Sequence, residues 1–578
     1  MTAQDPSSQV SQRLRTVLLL ILIFGAVLAL KLFYWQILRG PEMQERAADQ
    51  TASNVPVYAK RGDIVTNDNV LLAKDVFRYN VYVNVPFVKQ PEKLAADLAE
   101  ILQKPRDGLL ANFKMNPKER VSVAYLEPLE TAQKITKYKA EQGLLNVELE
   151  IRPVRVYPNG SFAAAVVGYI NGNRAASGGV ELFMTSVLSG TNGSLIGRKN
   201  ALSDFMPHLA FEDNPAIDGA KVTLTIDSGM QRIIEQELGK AIRESRAESG
   251  SIIVMDPKTG AILALAVWPA ADLNRFFEEV NQGKYGNQTV NALYEPGSVF
   301  KIITYAAGLD AGVITPSTCF QDEGKLIIPG AEVYNANRVV GGNVCLVEAL
   351  RQSLNVEAAK VALMLGTPRF YSYTAAFGFG SPTRVELGGE LAGSVNRPGD
   401  GIWRDGLHAY NAFGQGFDAT PMQTIAAVAA VANGGKLMRP YIVKSIQRAT
   451  DAEPVEIKPE VVRQVIRPET AKIMTQLLAD SIMKESSNLA IVSGYAVAGK
   501  TGTSQIMVAG EYDPKQTIAS FAGYLPADDP KLVILVKLDK PQSSIWGSHV
   551  ASPVFASVAK QLVIQAGIVP DAIRLANK

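Results

Sequence analysis

Apolar residues along this chain fall into three textures. From Thr16 to Leu38 they are nearly continuous, broken only by Lys31 and Gln36. The charge-free part, Thr16 to Leu30, is short for a membrane span, and adding Leu32-Phe33-Tyr34-Trp35 brings it to about the 20 residues a bilayer requires. Lys31 can snorkel to the interface, and Tyr34-Trp35 suits an aromatic belt. Arg13 and Arg15 precede the run and favour a cytoplasmic N-terminus, although Lys31 and Arg39 weaken the asymmetry. No small-x-small cleavage site follows, so the run reads as an uncleaved anchor rather than a signal peptide, with everything after about residue 39 outside the cytoplasm.

The second texture is mixed. Gly40 to Asn54 is polar and reads as a helix continuing from the anchor. The alternation Tyr79-Asn80-Val81-Tyr82-Val83-Asn84-Val85 predicts a strand. Pro91–Lys104, Asp107–Asn116 and Pro128–Gln142 carry helical periodicity. Arg155-Val156-Tyr157-Pro158-Asn159-Gly160 is a strand running into a turn, followed by a short helix from Phe162 to Val167. This α+β region ends near Asp218-Gly219.

The third texture starts with a strand, Val222–Asp227, and a helix from Ser228 to about Ser245. Ser251 to Ala266 is two apolar runs around Asp256-Pro257-Lys258-Thr259-Gly260, a hairpin signal. Helical segments then run to about residue 435. Ile491–Thr503, Ala519–Tyr524 and Leu532–Leu538 predict further strands, and the last helix runs from Pro553 to about Ala566. A helical middle bracketed by strands is an α+β domain whose sheet draws on both ends. No internal repeat is visible.

The 578 residues are enough for two or more domains. Lys and Arg total 58 against 56 Asp and Glu, a net charge of +2, which argues against a nucleic-acid partner. His208, His408 and His549 are scattered, so neither a zinc-type cluster nor any other metal or cofactor is implied. No G-x-S-x-G elbow surrounds a serine. Cys319 and Cys345, outside the cytoplasm, are equally compatible with a disulfide and with two buried thiols.

Candidate chemistry centres on Tyr294-Glu295-Pro296-Gly297-Ser298-Val299-Phe300-Lys301. A hydroxyl needs a base within reach to become a nucleophile, and residues three apart on a helix share a face. Ser298 in the first turn after Pro296-Gly297 would meet free N–H groups, and a buried Lys301 would lose its charge readily. Ser-x-x-Lys also occurs at Ser481–Lys484 and Ser557–Lys560, so the pattern alone decides nothing. Ser353-Leu354-Asn355 and Lys500-Thr501-Gly502-Thr503 add to it, with decoys at Ser394-Val395-Asn396, Ser486-Ser487-Asn488 and Lys258-Thr259-Gly260. Only the set Ser298–Lys301, Ser353–Asn355, Lys500–Thr503 falls in turn on a helix start, an interhelix loop and a strand.

In that order the three motifs resemble those of penicillin-binding proteins and serine β-lactamases. Arg61-Gly62 to Leu72-Ala73, Arg155 to Gly160, Gly179-Val180-Glu181 and Thr225-Ile226-Asp227 are similar to the pedestal and junction of class B penicillin-binding proteins. Met255-Asp256-Pro257, Phe377–Gly380, Gly414-Gln415-Gly416 and Phe521–Tyr524 are similar to that family's transpeptidase domain. Asn69 stands where glycine is usual, and Val299-Phe300 where smaller residues are; asparagine tolerates φ > 0, so the turn survives.

The resemblance implies a cytoplasmic tail (1–15), an anchor (16–38), an elongated pedestal (39–218) and a transpeptidase domain (219–578) with an antiparallel sheet flanked by helices. It implies that Ser298 is acylated and Lys301 is its base. Ser353 would relay a proton and Asn355 orient substrate. Lys500 would hold Lys301 near neutrality, and the N–H groups of Ser298 and Thr503 would form the oxyanion hole. Thr501 and Thr503 would receive a terminal carboxylate, with Gly502 leaving room for a peptide. The implied substrate is a D-Ala-D-Ala stem peptide of lipid-linked nascent glycan, mimicked by β-lactams. The implied partners are a SEDS-type polytopic glycosyltransferase and division-complex membrane proteins. Chain length and a compact pedestal favour a division-type over an elongation-type member. A β-lactam sensor lacks the extra membrane helices it would need, a bifunctional class A protein lacks its glycosyltransferase domain, and a non-catalytic division-complex scaffold would not need all three motifs intact.

Overall fold

The computed structural model describes residues 6–199, 205–206, 212–279, 286–484, 489–508 and 511–576. The decoy Ser486-Ser487-Asn488 lies outside the described residues. The fold is α+β, and the chain forms two compact units that interleave in sequence. One holds Met1–Ala59, Phe77–Pro153 and Thr191–Ile217; the other holds Lys60–Val76, Val154–Gly190 and Asp218–Lys578.

In the first unit a helix runs Pro6–Phe33 and continues as a wider turn, Tyr34–Leu38. The stretch Val10–Leu38 is long and apolar enough to cross a membrane, and its large apolar side chains are exposed along the whole length. The following helix, Gly40–Thr51, stops short of Asn54 because the chain enters the strand Ala52–Val57, which pairs with Gly193–Lys199. A small sheet pairs the later part of Leu71–Asn84 with Arg120–Glu127 and Val147–Val156. Helices Pro91–Leu102, Arg106–Met115 and Leu129–Gln142 cover it, and Val81, Val83, Leu94, Leu98, Phe113 and Ile135 form its core.

The second unit is built on a five-stranded antiparallel sheet. Its strands in chain order are β1 (Ser249–Met255), β2 (Ile262–Trp268), β3 (Ala498–Val508), β4 (Glu511–Leu525) and β5 (Leu532–Asp539), in spatial order β2-β1-β5-β4-β3. The side-chain period of two feeds two separate cores. Ile252, Val254, Ile534 and Val536 pack with α1 (Ser228–Ser245) and the last long helix, Gly547–Gln565. Ile253, Met255, Val533 and Leu535 pack with α2 (Lys301–Asp310), α3 (Asn355–Leu365), α4 (Pro421–Ala432) and α5 (Pro468–Met483). Burial on both faces is why β1 and β5 read as unbroken apolar runs.

The second unit also gathers scattered charged residues into one buried cluster. Glu181 accepts from the Nε atoms of both Arg61 and Arg155, while Asp75 accepts from Arg155 at 3.3 Å and Arg174 at 3.1 Å. Asn69 does adopt φ +64 in the turn where glycine is usual.

Four expectations need correction. Residues 319–345 hold no α-helix, only a 3-10 turn at Ala336–Arg338: Cys319–Asp322 pairs with Gly342–Cys345, and Lys325–Ile328 with Ala331–Tyr334, because Gly324 and Gly330 turn the chain at positive φ. β3 starts at Ala498, since Val492 and Tyr495 bridge to each other in a turn first. The helix expected to be last begins at Gly547, carries Pro553 inside near its start, where only one helical hydrogen bond is lost, and is followed by a short helix, Asp571–Ala576. Helix α5 lies beyond the point where helical segments were expected to stop. Of the two states left open for the cysteines, the structure has the disulfide: Cys319 and Cys345 face each other across the ladder.

Candidate active site

Ser298 lies in a tight turn of 3-10 helix, Gly297–Phe300, that runs directly into α2, so Lys301 opens the α-helix. Gly297 takes φ +58, and its Cα faces the backbone of Thr503: a Cβ there would sit 3.1 Å from Thr503 O. Phe300, the unusual bulky residue of the motif, is buried, with its ring edge-on to Phe370, Phe379 and Phe417. It anchors the turn from below.

Lys301 is fully buried. Its Nζ bonds to Ser353 O at 2.6 Å, Asn355 Oδ1 at 2.8 Å and Ser353 Oγ at 3.2 Å. Burial holds its pKa well below the ordinary lysine range, Lys500 pushes it down further, and Glu357 partly opposes both. An ammonium would donate to all three oxygens. A neutral amine has two N–H groups and a lone pair, so it donates to two and accepts from the Ser353 hydroxyl. Ser298 Oγ is not among the bonded partners of Lys301; the amine is turned toward the second motif.

Ser353 reaches this position through the left-handed region, φ +56, directly after the helix Leu346–Arg351. Ser353 N–H donates to Leu350 O and Leu354 N–H to Ala349 O, closing one helix so that α3 starts at Asn355. Lys500 is buried on β3, with Nζ 3.1 Å from Thr501 Oγ1. Thr503 Oγ1 accepts from Gly547 N–H at 3.0 Å, which leaves its O–H free to donate.

Gly502 has a packing reason of its own. A Cβ on it would lie 2.3 Å from Ser520 Oγ, 3.0 Å from Val299 Cγ2 and 3.1 Å from Pro296 O. Its missing side chain lets β3 close against the Ser298 turn. β3 is the outermost strand of its sheet. The sequence motifs are therefore brought together around one turn. The Lys258-Thr259-Gly260 decoy is the β1–β2 hairpin turn, where Thr259 Oγ1 donates to Asp256.

Sequence reasoning missed Glu295, Asn335 and Glu357. Glu295 accepts from Tyr512 O–H at 2.7 Å and Gly416 N–H at 2.8 Å, and burial raises its pKa to about 7. It borders a cavity of about 960 Å3 lined also by Tyr410, Asp418, Gln505 and Tyr512. Its place beside Pro296-Gly297-Ser298 was the available signal. Among the described residues no group of acidic, histidine and cysteine side chains is arranged to hold a metal.

Residues 250–560 match the model of the penicillin binding protein transpeptidase domain, and residues 56–224 that of the penicillin-binding protein dimerisation domain. The chain belongs to the class B penicillin-binding proteins. Stage V sporulation protein D of Bacillus subtilis is 32% identical over 98% of this chain and 88% of its own length. Peptidoglycan D,D-transpeptidase FtsI of Escherichia coli is 28% identical over 83% of this chain and 78% of its own. A peptidoglycan synthetase from Bifidobacterium adolescentis superposes with a TM-score of 0.73 at 25% identity, covering 90% of this chain and 98% of that one. Penicillin binding protein 3 of Mycobacterium tuberculosis, complexed with aztreonam, gives 0.69 at 26% identity, with 89% and 98% covered. This class B penicillin-binding protein thus shares both its halves with proteins of known structure.

Proposed function

We propose that this chain is a peptidoglycan D,D-transpeptidase that works through an acyl-enzyme on Ser298 and is inhibited covalently by β-lactams at the same atom. The observation that carries the reading is Lys301: buried, beside a second lysine, hydrogen-bonded to Ser353 and Asn355, and one turn from Ser298. Lys301 takes the proton of Ser298 as that oxygen attacks the D-Ala-D-Ala carbonyl. The N–H groups of Ser298 and Thr503 receive the oxyanion. Ser353, already bonded to the amine, carries the proton on to the leaving D-alanine. Asn355 orients the stem peptide, and Thr501 and Thr503 meet its carboxylate while it lies along the outer edge of β3. The relatives' names, and aztreonam bound to one of them, support substrate and inhibitor class.

Transfer rather than hydrolysis is supported by the relatives' names and by the lack of one hydrolytic device, other designs for hydrolysis being left open. Class A β-lactamases use a glutamate to activate the deacylating water, and no glutamate between Asn355 and Lys500 precedes an asparagine by four residues. The penicilloyl adduct is therefore long-lived, and an amine from a second stem peptide takes the natural acyl group. We place the chain in septal wall synthesis on a single-pass anchor, N-terminus cytoplasmic, working with a SEDS-type glycosyltransferase and other division-complex membrane proteins. Depletion giving long undivided cells supports this; rounded cells would assign it to elongation.

The central test is fluorescent-penicillin labelling of the full-length protein with mapping of the adduct. Ser298→Ala removes all labelling and leaves the fold intact; a mutant that still labels refutes the nucleophile assignment.

A further inference from the structure

Asn355 presents its carboxamide oxygen to Lys301 only because of groups twenty or more positions earlier in the chain. Its Nδ2 donates to Tyr334 O at 3.0 Å, which forces Oδ1 toward Lys301 Nζ. Its backbone N–H donates to Asn335 Oδ1 at 2.8 Å, and Val356 N–H to the same oxygen at 3.0 Å. The residue before α3 is Leu354, whose side chain has no oxygen, so Asn335 supplies from a distance the cap this helix cannot supply itself. The amide of Asn335 is itself fixed. Its Nδ2 donates to Asp322 Oδ2 at 2.8 Å and Val339 O at 3.1 Å. Asp322 is wholly buried and also accepts from Gly341 N–H at 2.6 Å and Gly324 N–H at 3.1 Å. Reversing either amide would set donor against donor.

From this chain of bonds we propose that Asn335 and Asp322 are positioning residues of the reaction: they hold Asn355 so that its oxygen meets the Lys301 amine. Both lie in the segment closed by Cys319 and Cys345, away from all three motifs in sequence. The proposal rests on the reading of Lys301 as the base and adds to it the device that aims its second-motif partner. The charged groups facing Lys301 are Lys500 on β3 and Glu357 on α3; Asn335→Ala leaves both as they are, whereas Asp322→Asn also removes a negative charge that holds the Glu357 carboxyl up, which would favour the Lys301 ammonium and so oppose the expected shift.

The sign of the effect on pH dependence is fixed. A carboxamide oxygen accepting from Lys301 favours the ammonium. Releasing Asn355 removes that acceptor, so the amine loses its proton more readily and the acid limb of the acylation profile moves to lower pH. Misaimed groups also lower the rate itself, by roughly tenfold or more.

The experiment measures acylation by a fluorescent penicillin across pH for the full-length protein in detergent, with Tm. Asn335→Ala is compared with Asp227→Ala, which removes the cap of α1 from Met230 N–H far from the motifs. Asn335→Ala should acylate about tenfold more slowly or worse, with its acid limb at lower pH. Asp227→Ala should lose stability while keeping rate and limb. Asp322→Asn, which keeps the shape of the pair and loses one acceptor, should move rate and limb the same way and decides the matter should Asn335→Ala not fold. A normal rate in both, or a slower rate with an unmoved limb, overturns the proposal. Labelling that persists in Ser298→Ala would instead sink the underlying mechanism, so the two failures are told apart.

Discussion

Replacing Gly502 by alanine adds one methyl group at the most crowded point of the site. The nearest atom, Ser520 Oγ, would lie 2.3 Å from the new carbon, more than 1 Å inside ordinary contact at about 3.4 Å. Ser520 is buried on β4 directly opposite Gly502, so the hydroxyl has little room to turn away. On the other side stand Val299 Cγ2 at 3.0 Å and Pro296 O at 3.1 Å, both part of the Ser298 turn. The strain is relieved when β3 and that turn move apart by several tenths of an ångström. Overpacking of this kind costs about 1–3 kcal/mol. Catalysis is lost as well, because the proposed oxyanion hole takes one N–H from each side of the gap. A full 1 Å displacement lowers a rate on the order of 10²-fold, so one of several tenths should cost roughly tenfold. The assay is the second-order acylation rate with fluorescent penicillin, together with Tm. The prediction is sharpened by Gly502→Ala/Ser520→Ala. Removing Oγ deletes the worst contact and leaves only the two near 3.0 Å, so the double variant regains a large part of the lost rate. Gly502→Ala acylating at the native rate, or a double variant no faster than the single, would refute the reasoning.

Lys301→Ala should slow acylation by roughly 10²-fold or more, and Lys500→Ala, by removing like charge beside Lys301, should move the acid limb of the profile to higher pH; a limb that stays put or moves down contradicts the electrostatic account. Glu295→Gln keeps an acceptor for Tyr512 and Gly416 but no longer pays to bury a charge. Its folded pKa of about 7 lies above the unfolded value, so the native protein loses stability as pH rises from about 4.5 to 7, and the variant's stability advantage should be on the order of 1–3 kcal/mol at pH 8 and near zero at pH 4, read as a higher Tm at pH 8 and an equal one at pH 4. Intact mass after alkylation without reductant should show no free thiol, and Cys345→Ser should lower stability by about 3 kcal/mol, since the bridge joins positions 26 apart; two free thiols in exported protein would contradict the bonded state.

The elements that were legible in the sequence are those whose cause is local. Helix α1 is recovered to the residue because Asp227 caps it and its apolar face repeats every turn. The β1–β2 hairpin is legible because a Pro/Gly turn separates two apolar runs. That the three short motifs meet around one turn was legible too, through their order. What stayed hidden has distant causes. Residues 491–497 are as apolar as a strand, but Tyr495 O–H donates to Ile568 O and Ala496 N–H to Asp571, both some seventy positions on. The interleaving of the two units cannot be seen in any window, since Lys60–Val76 and Val154–Gly190 are joined to each other by contacts such as those of Arg61 with Glu181 and Arg155 with Asp75, and Ile64 pairs with Val222.

The same distinction runs through the site itself. A motif records the groups that meet substrate, and these recur at short spacings because one turn of helix or one strand must present them. The groups that aim them need no spacing at all. Asn335 caps a helix that begins twenty positions later, and Glu295 joins the Ser298 turn to the loop at Gly416 and to Tyr512 on β4. Either could sit elsewhere in the chain and serve as well, so no pattern marks them. What marks them is burial without a salt-bridge partner. Asp322 and Asn335 are polar, almost fully buried and satisfied only by each other and by backbone amides. Such an arrangement costs free energy unless every member is paired, so its loss at any one position is felt at all the others. The motif residues therefore tolerate loss of chemistry with the fold intact, as Ser298→Ala should show. The residues that aim them give up order and chemistry together, and only a pH profile separates the two.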